Sequence, residues 1–122
     1  MTVLLDSYCW FEYYFGSKAG SKIREIITSG EEILVTPINV YEVYRKYLQN
    51  SPTEAEGKKS FMLSRGKVIN ITGDTAVKAA ELSARHGLHA TDALIYAAAL
   101  ENDCTLITGD AHLTGLPNVK KI

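Results

Sequence analysis

The chain has 122 residues, 46% of them hydrophobic, and a formal net charge of −1 at pH 7, with an isoelectric point near 6.3. That length suits one compact domain with its own core and is too short for two, and the near-neutral balance argues against a protein that holds nucleic acid mainly by bulk positive charge. Met1 to Trp10 places Asp6 inside its apolar stretch without a basic lead, so neither signal peptide nor membrane span is indicated and the cytoplasm is the expected compartment.

Val3 to Leu5 reads as a first strand ending at Asp6-Ser7, which can cap a helix carrying Trp10, Phe11, Tyr14 and Phe15. Gly16-Ser17 breaks that helix, and Lys18 to Ser29 is a second, with Ile23, Ile26 and Ile27 on one face and Gly30 as its stop. Ile33 to Val35 is the next strand. Thr36-Pro37 starts a helix in which Val40, Tyr41, Tyr44, Tyr47 and Leu48 recur at helical spacing, with Glu42 in its second turn. Ser51-Pro52 closes it and opens a charged helix, Thr53 to Ser64, expected to be exposed or to face substrate. Val68 to Ile71 makes a third strand. Thr72, Gly73 and Asp74 then start a helix with Val77, Ala80, Leu82 and Ala84 inside, ended by His86-Gly87. Thr91 is the expected cap of a helix from Asp92 to Glu101 that is apolar almost all round and therefore buried. Thr105 to Thr108 is a fourth strand, ending at Gly109-Asp110, and Val119 to Ile122 a short fifth.

Strands alternating with helices imply an α/β fold: a single three-layer α/β/α domain with a central parallel sheet of four to five strands, whose ligands bind beyond the carboxyl ends of the strands. Asp6 and Asp110 emerge at those ends, and Glu42 and Asp92 lie near the N-termini of helices on the same rim. Taken singly, Asp6 reads as a cap, Asp92 as a complement to a helix dipole and Asp110 as a turn former. Glu42 neither caps nor ends a helix, although Arg45 or Lys46 can pair with it. Four carboxylates on one rim repel one another unless they take up protons or a cation. Hard oxygen donors without His or Cys select Mg²⁺ or Mn²⁺, which points to phosphoryl-transfer chemistry on nucleic acid.

Other residues carry weaker signals. Cys9 and Cys104, the only two cysteines, read as reduced thiols and are too few for a zinc site. Lys18, Lys22 and Arg24, Arg45 and Lys46, Lys58, Lys59, Arg65 and Lys67, and Lys120 and Lys121 are candidate phosphate contacts, or simply solvated faces. Tyr8, Tyr13, Tyr14, Tyr41, Tyr44 and Tyr47 can stack bases, though their helical spacing suits core or oligomer packing. A metal-free route would need a histidine base, and His86, His89 and His112 form no recognisable constellation in the sequence.

The segments Val3-Leu4-Leu5-Asp6-Ser7, Asn39-Val40-Tyr41-Glu42-Val43, His89-Ala90-Thr91-Asp92-Ala93-Leu94-Ile95 and Leu106-Ile107-Thr108-Gly109-Asp110 together resemble the PIN domain, and within it the VapC-like toxin ribonucleases. The resemblance spans essentially the whole chain. It implies a PIN-like fold, a metal-dependent endoribonuclease, and a metal-binding quartet of Asp6, Glu42, Asp92 and Asp110, with Thr108 as the supporting hydroxyl. It further implies an RNA substrate, a VapB-like antitoxin partner and a homodimer. His89-Ala90 departs from the more apolar lead-in of many relatives, and the tyrosines are unusually many, which bears on substrate and partner surface. A receiver domain fits poorly: Asp6 is followed by Ser7 rather than a second acid, and the third strand ends at Ile71-Thr72. The non-enzymatic alternative is a PIN-like module that binds RNA or protein.

Overall fold

A computed structural model describes residues 1–122. Five strands, β1 (Thr2–Leu5), β2 (Glu32–Val35), β3 (Lys67–Val68), β4 (Thr105–Thr108) and β5 (Val119–Lys121), form one sheet in the order β3-β2-β1-β4-β5. Every pairing is parallel. The connections carry α1 (Ser7–Phe15), α2 (Lys18–Thr28), α3 (Pro37–Asn50), α4 (Pro52–Arg65), α5 (Gly73–His86), α6 (Ala90–Glu101) and a 3₁₀ turn, η1 (Ala111–Leu113).

Alternation along the strands divides the interior in two. Val3, Leu5, Ile33, Val35 and Ile107 point to one face, where they meet Trp10, Ile23, Ile27, Val43, Ala55 and Met62 of α1 to α4. Leu4, Leu34 and Leu106 point to the other, against Ala79 and Leu82 of α5 and the apolar run of α6. Because both faces are covered, the inner strands read as unbroken apolar runs rather than as alternating patterns. The result is a three-layer α/β/α fold. Cys9 and Cys104 are buried, unpaired and in separate cores, so the sheet lies between the two thiols.

Several expectations change. The third strand is Lys67–Val68, not Val68 to Ile71. Its partner β2 pairs only through Leu34 and Val35, because Thr36 already caps α3, so the ladder has nothing to extend against. The buried face of α5 is Thr75, Ala79 and Leu82; Val77, Ala80 and Ala84 are exposed. The capping box between Thr72 and Thr75 sets the rotation of that helix and turns Thr75 inward, and alanines on both sides hide the true stripe. Helix α6 begins at Ala90 with His89 as N-cap, leaving Thr91 exposed in its first turn. Helix α4, expected to be exposed, presents most residues to solvent but seats Ala55 and Met62 in the core.

Strand order reverses between β1 and β4: from β1 the chain builds outward to β2 and β3, and from β4 to β5. The crevice beyond the carboxyl ends of these two strands is the topological switch point of such a sheet. Helix α2 approaches α1 so closely that a Cβ on Gly20 would collide with the Glu12 carbonyl. Main chain cannot swing aside as a long side chain does. Gly20→Ala is therefore expected to destabilise the fold by about 1–3 kcal/mol or more, read as a lower urea midpoint in the fluorescence of the buried Trp10.

Candidate metal centre

Each of the four acids reaches the switch point from a different element. Asp6 leaves β1 and caps α1, Glu42 lies in the second turn of α3, Asp92 in the first turn of α6, and Asp110 follows β4 and caps η1. Asp6 is the most enclosed, at 8% exposure. Its Oδ1 accepts from the Ser7 main-chain N–H at 2.8 Å and its Oδ2 from the Thr108 hydroxyl at 2.8 Å. Thr108 Oγ1 in turn accepts from the Asp110 N–H at 3.0 Å, so one buried threonine ties the ends of the two central strands and aligns two of the acids.

The electrostatics show a strained anionic cluster. Burial raises the Asp6 carboxyl above its ordinary value; the bonds from Thr108 and Ser7 work against that, and the charges of Glu42 and Asp110 add to it. Asp92 is pushed up to about 6, first by burial, then by a hydrogen bond and charge from Asp110 and by the charge of Asp6. For Asp110 burial also opposes ionisation, but bonds from the His112 N–H and ring, and from Asp92, outweigh it and hold this carboxyl below its ordinary value. Asp92 and Asp110 thus titrate as a pair, and the proton the pair takes up below about pH 6 resides on Asp92.

Several neighbours escape detection in the sequence. Ser7 Oγ donates to Glu42 Oε1 at 2.7 Å and accepts from Asn39 Nδ2 at 3.0 Å. His112 Nδ1 lies 2.9 Å from Asp110 Oδ1, and the His89 ring stands 6.1 Å from that of His112 beside Asp92. Two of the three histidines therefore do join a constellation, contrary to the sequence reading; the two-residue Asp110–His112 spacing was the available signal. Gly109 runs beneath the Tyr8 ring so closely that any Cβ there would strike it. Arg65, a candidate phosphate contact, is instead structural: Nε donates to the Ile27 carbonyl and Nη2 to that of Glu31, both at 2.8 Å. Tyr14 and Tyr47 pack edge-on with Phe61 near Tyr14, which leaves Tyr8 and Tyr41 as the most exposed tyrosines. A cavity of about 740 Å³ lies between α1, α2 and α4, and none of the four acids lines it.

No three His, Cys, Asp or Glu side chains close tightly enough to grip one ion unaided. Mg²⁺ does not require that, since it keeps several waters and takes one or two carboxylates together with phosphate oxygens. The all-oxygen donors and the mutual repulsion that adds to burial in raising Asp6 and Asp92 fit such a cation.

Residues 3–119 match the sequence model of the PIN domain. The chain belongs to the PIN domain family. No curated protein matches it. Among solved structures, a toxin–antitoxin complex from Klebsiella pneumoniae contains a chain with 22% identity and a TM-score of 0.81, covering 97% of this chain and 95% of that one. VapBC2 from Rickettsia felis, bound to a promoter DNA fragment, gives 17% identity and 0.79 over 100% and 99%. VapC20 from Mycobacterium tuberculosis, described as a toxin that cleaves the sarcin-ricin loop, gives 15% and 0.73 over 96% and 98%. At these identities the likeness establishes a shared fold, and it extends over the whole PIN domain.

The raised Asp92 carboxyl has a consequence for stability. The folded domain binds this proton more tightly than the unfolded chain, so stability from this group is present at low pH and lost as pH rises through about 6. Asp92→Asn should raise the melting temperature of the metal-free protein at pH 7.5, by the equivalent of about 1 kcal/mol once solvent screening is allowed for. The difference should shrink towards pH 4. A lower melting temperature in the variant at pH 7.5 would contradict the electrostatic picture.

Proposed function

We propose that this PIN domain is a divalent-metal-dependent endoribonuclease that hydrolyses RNA phosphodiester bonds and serves as the toxin of a VapBC-type pair. The observation that carries the reading is the convergence of four acids from four elements on the switch point, where burial first, and then the bond and charge of Asp110 and the charge of Asp6, raise Asp92 to about 6. Asp6, Asp92 and Asp110 are assigned as holders of Mg²⁺ or Mn²⁺, Glu42 as a further ligand or the group that orients water, and Thr108 as the support of Asp6. When bound, the cation supplies charge neutralisation at the phosphate and a water acidic enough to attack near neutral pH.

The chain's own groups divide the remaining work. Thr108 and Ser7 hold Asp6 against rotation through both oxygens. Glu42 is held through Oε1 by Ser7. Asp92, which carries a proton only below about pH 6, would contribute its full charge to a bound cation, while His112 stands against Asp110. In-line attack of water on the phosphodiester forms the new P–O bond and breaks the bond to the 3′-oxygen of the ribose; the proton from the attacking water passes to solvent through the carboxylate nearest it, and the expelled oxygen takes a proton from solvent.

The partner assignments belong to the same proposal. The VapBC complexes among the structural neighbours support a VapB-like antitoxin. Phe15, Tyr41 and Leu48 on α1 and α3 are exposed by 61%, 62% and 48%, and these uncovered apolar side chains support a homodimer. No helix is long and apolar enough to cross a membrane, and action in the cytoplasm is part of the proposal.

Purified protein free of antitoxin should cut labelled single-stranded RNA with Mg²⁺ or Mn²⁺ and stop in EDTA. Asp92→Asn should lose more than about 100-fold, beyond the range usual for a group that merely supports a ligand. Full activity in the variant would defeat the site assignment, and silence of the folded protein across RNA and DNA panels would favour the binding-module alternative.

A further inference from the structure

Beside the acids lies a buried polar chain whose hydrogen bonds can run in only one direction. The Thr36 main-chain N–H can only donate, and it points at Asn39 Oδ1 at 3.0 Å. Thr36 Oγ1 accepts from the Asn39 N–H at 3.2 Å and gives its own proton to the same Oδ1 at 2.8 Å. The acceptor end of the Asn39 amide is thereby committed to Thr36, so its NH₂ end must face Ser7, where Nδ2 donates to Oγ at 3.0 Å. The single Ser7 proton is then directed to Glu42 Oε1 at 2.7 Å. Thr36 and Asn39 are fully buried and Ser7 nearly so, which removes water as a competing partner along the chain.

We propose that Asn39 and Ser7 are positioning residues, which hold Glu42 beside Asp6 as a hydrogen-bond acceptor and so fix its place at the reaction centre. Ser7 has both acids in hand: its N–H holds Asp6 and its hydroxyl holds Glu42. The helix cap at Thr36 begins the relay, so the start of α3 and the orientation of a side chain two turns into it are set by one network. Glu42 sits on a helix face with no other hydrogen-bond donor to it, so its carboxylate has no alternative anchor. The effect on catalysis rests on the nuclease reading; the placement of Glu42 does not.

Three variants separate these. Ser7→Ala removes the last donor. Asn39→Asp keeps the shape but offers Ser7 only acceptors, which draws the serine proton away from Glu42. Ser7→Thr keeps the hydroxyl. Metal-free crystal structures of Ser7→Ala and Asn39→Asp should show the Glu42 carboxylate displaced from its wild-type position, and Ser7→Thr should show it retained. In RNA cleavage the first two should lower kcat by about 10–100-fold with KM for RNA unchanged, and Ser7→Thr should recover most of the rate. Glu42 in its wild-type position in a folded Ser7→Ala protein would overturn the proposal even if Asn39→Asp fails to fold. Equal loss of rate in Ser7→Thr and Ser7→Ala would do the same. Should wild type cut no RNA, the nuclease reading fails and the crystal structures alone decide the relay.

Discussion

The hydrogen bond from Thr108 to Asp6 joins the carboxyl ends of the two strands between which the sheet changes direction. A carboxylate as enclosed as Asp6 is costly to ionise unless donors face both oxygens, and Thr108 and Ser7 provide them. The other acids are arranged around this fixed point. Asp110 follows Thr108 by two residues and is aligned by the same hydroxyl, Glu42 is reached through Ser7, and Asp92 approaches from the opposite layer on α6. The sheet is a scaffold that brings side chains more than a hundred positions apart in sequence onto one edge.

The layers on either side have different compositions for physical reasons. Helix α6 is buried over most of its surface by the sheet and α5, so it is built from alanines and other apolar residues, and Asp92 is the only acid in its first turn. Helices α1 to α4 form the thicker layer, rich in aromatic rings, and three of their lysines lie over those rings: Lys58 Nζ stands 4.6 Å from the Tyr14 centroid, Lys46 Nζ 4.8 Å from that of Phe11 and Lys59 Nζ 5.1 Å from that of Tyr44. The direction of the Asp92 shift makes the cluster a cost to the fold above about pH 6.

Much of this was legible in the sequence because strand ends and helix starts are local features. Apolar runs ending at Asp6 and at Gly109-Asp110, and the Thr36-Pro37 helix start, place three acids without tertiary information. The brevity of β3 was not legible, since it depends on where β2 stops in a neighbouring strand. Nor was the inner face of α5, where alanines on both sides left Leu82 as the one large residue marking it. The relay from Thr36 through Asn39 and Ser7 to Glu42 links residues 32 and 35 positions apart, and Asn39 alone reads as an ordinary capping-box residue. Likewise His112 looks like a loop histidine until its ring is seen against Asp110.

The central claim, that the four acids form one coupled site whose repulsion is relieved by either a proton or a cation, is tested most directly by calorimetric titration with Mn²⁺ at pH 6 and pH 8, each in two buffers of different ionisation enthalpy. Because the Asp92 carboxyl lies at about 6, binding at pH 6 should release about half a proton per chain, falling to almost none at pH 8. Absence of Mn²⁺ binding, or binding with no difference in proton release between the two pH values, would contradict the account.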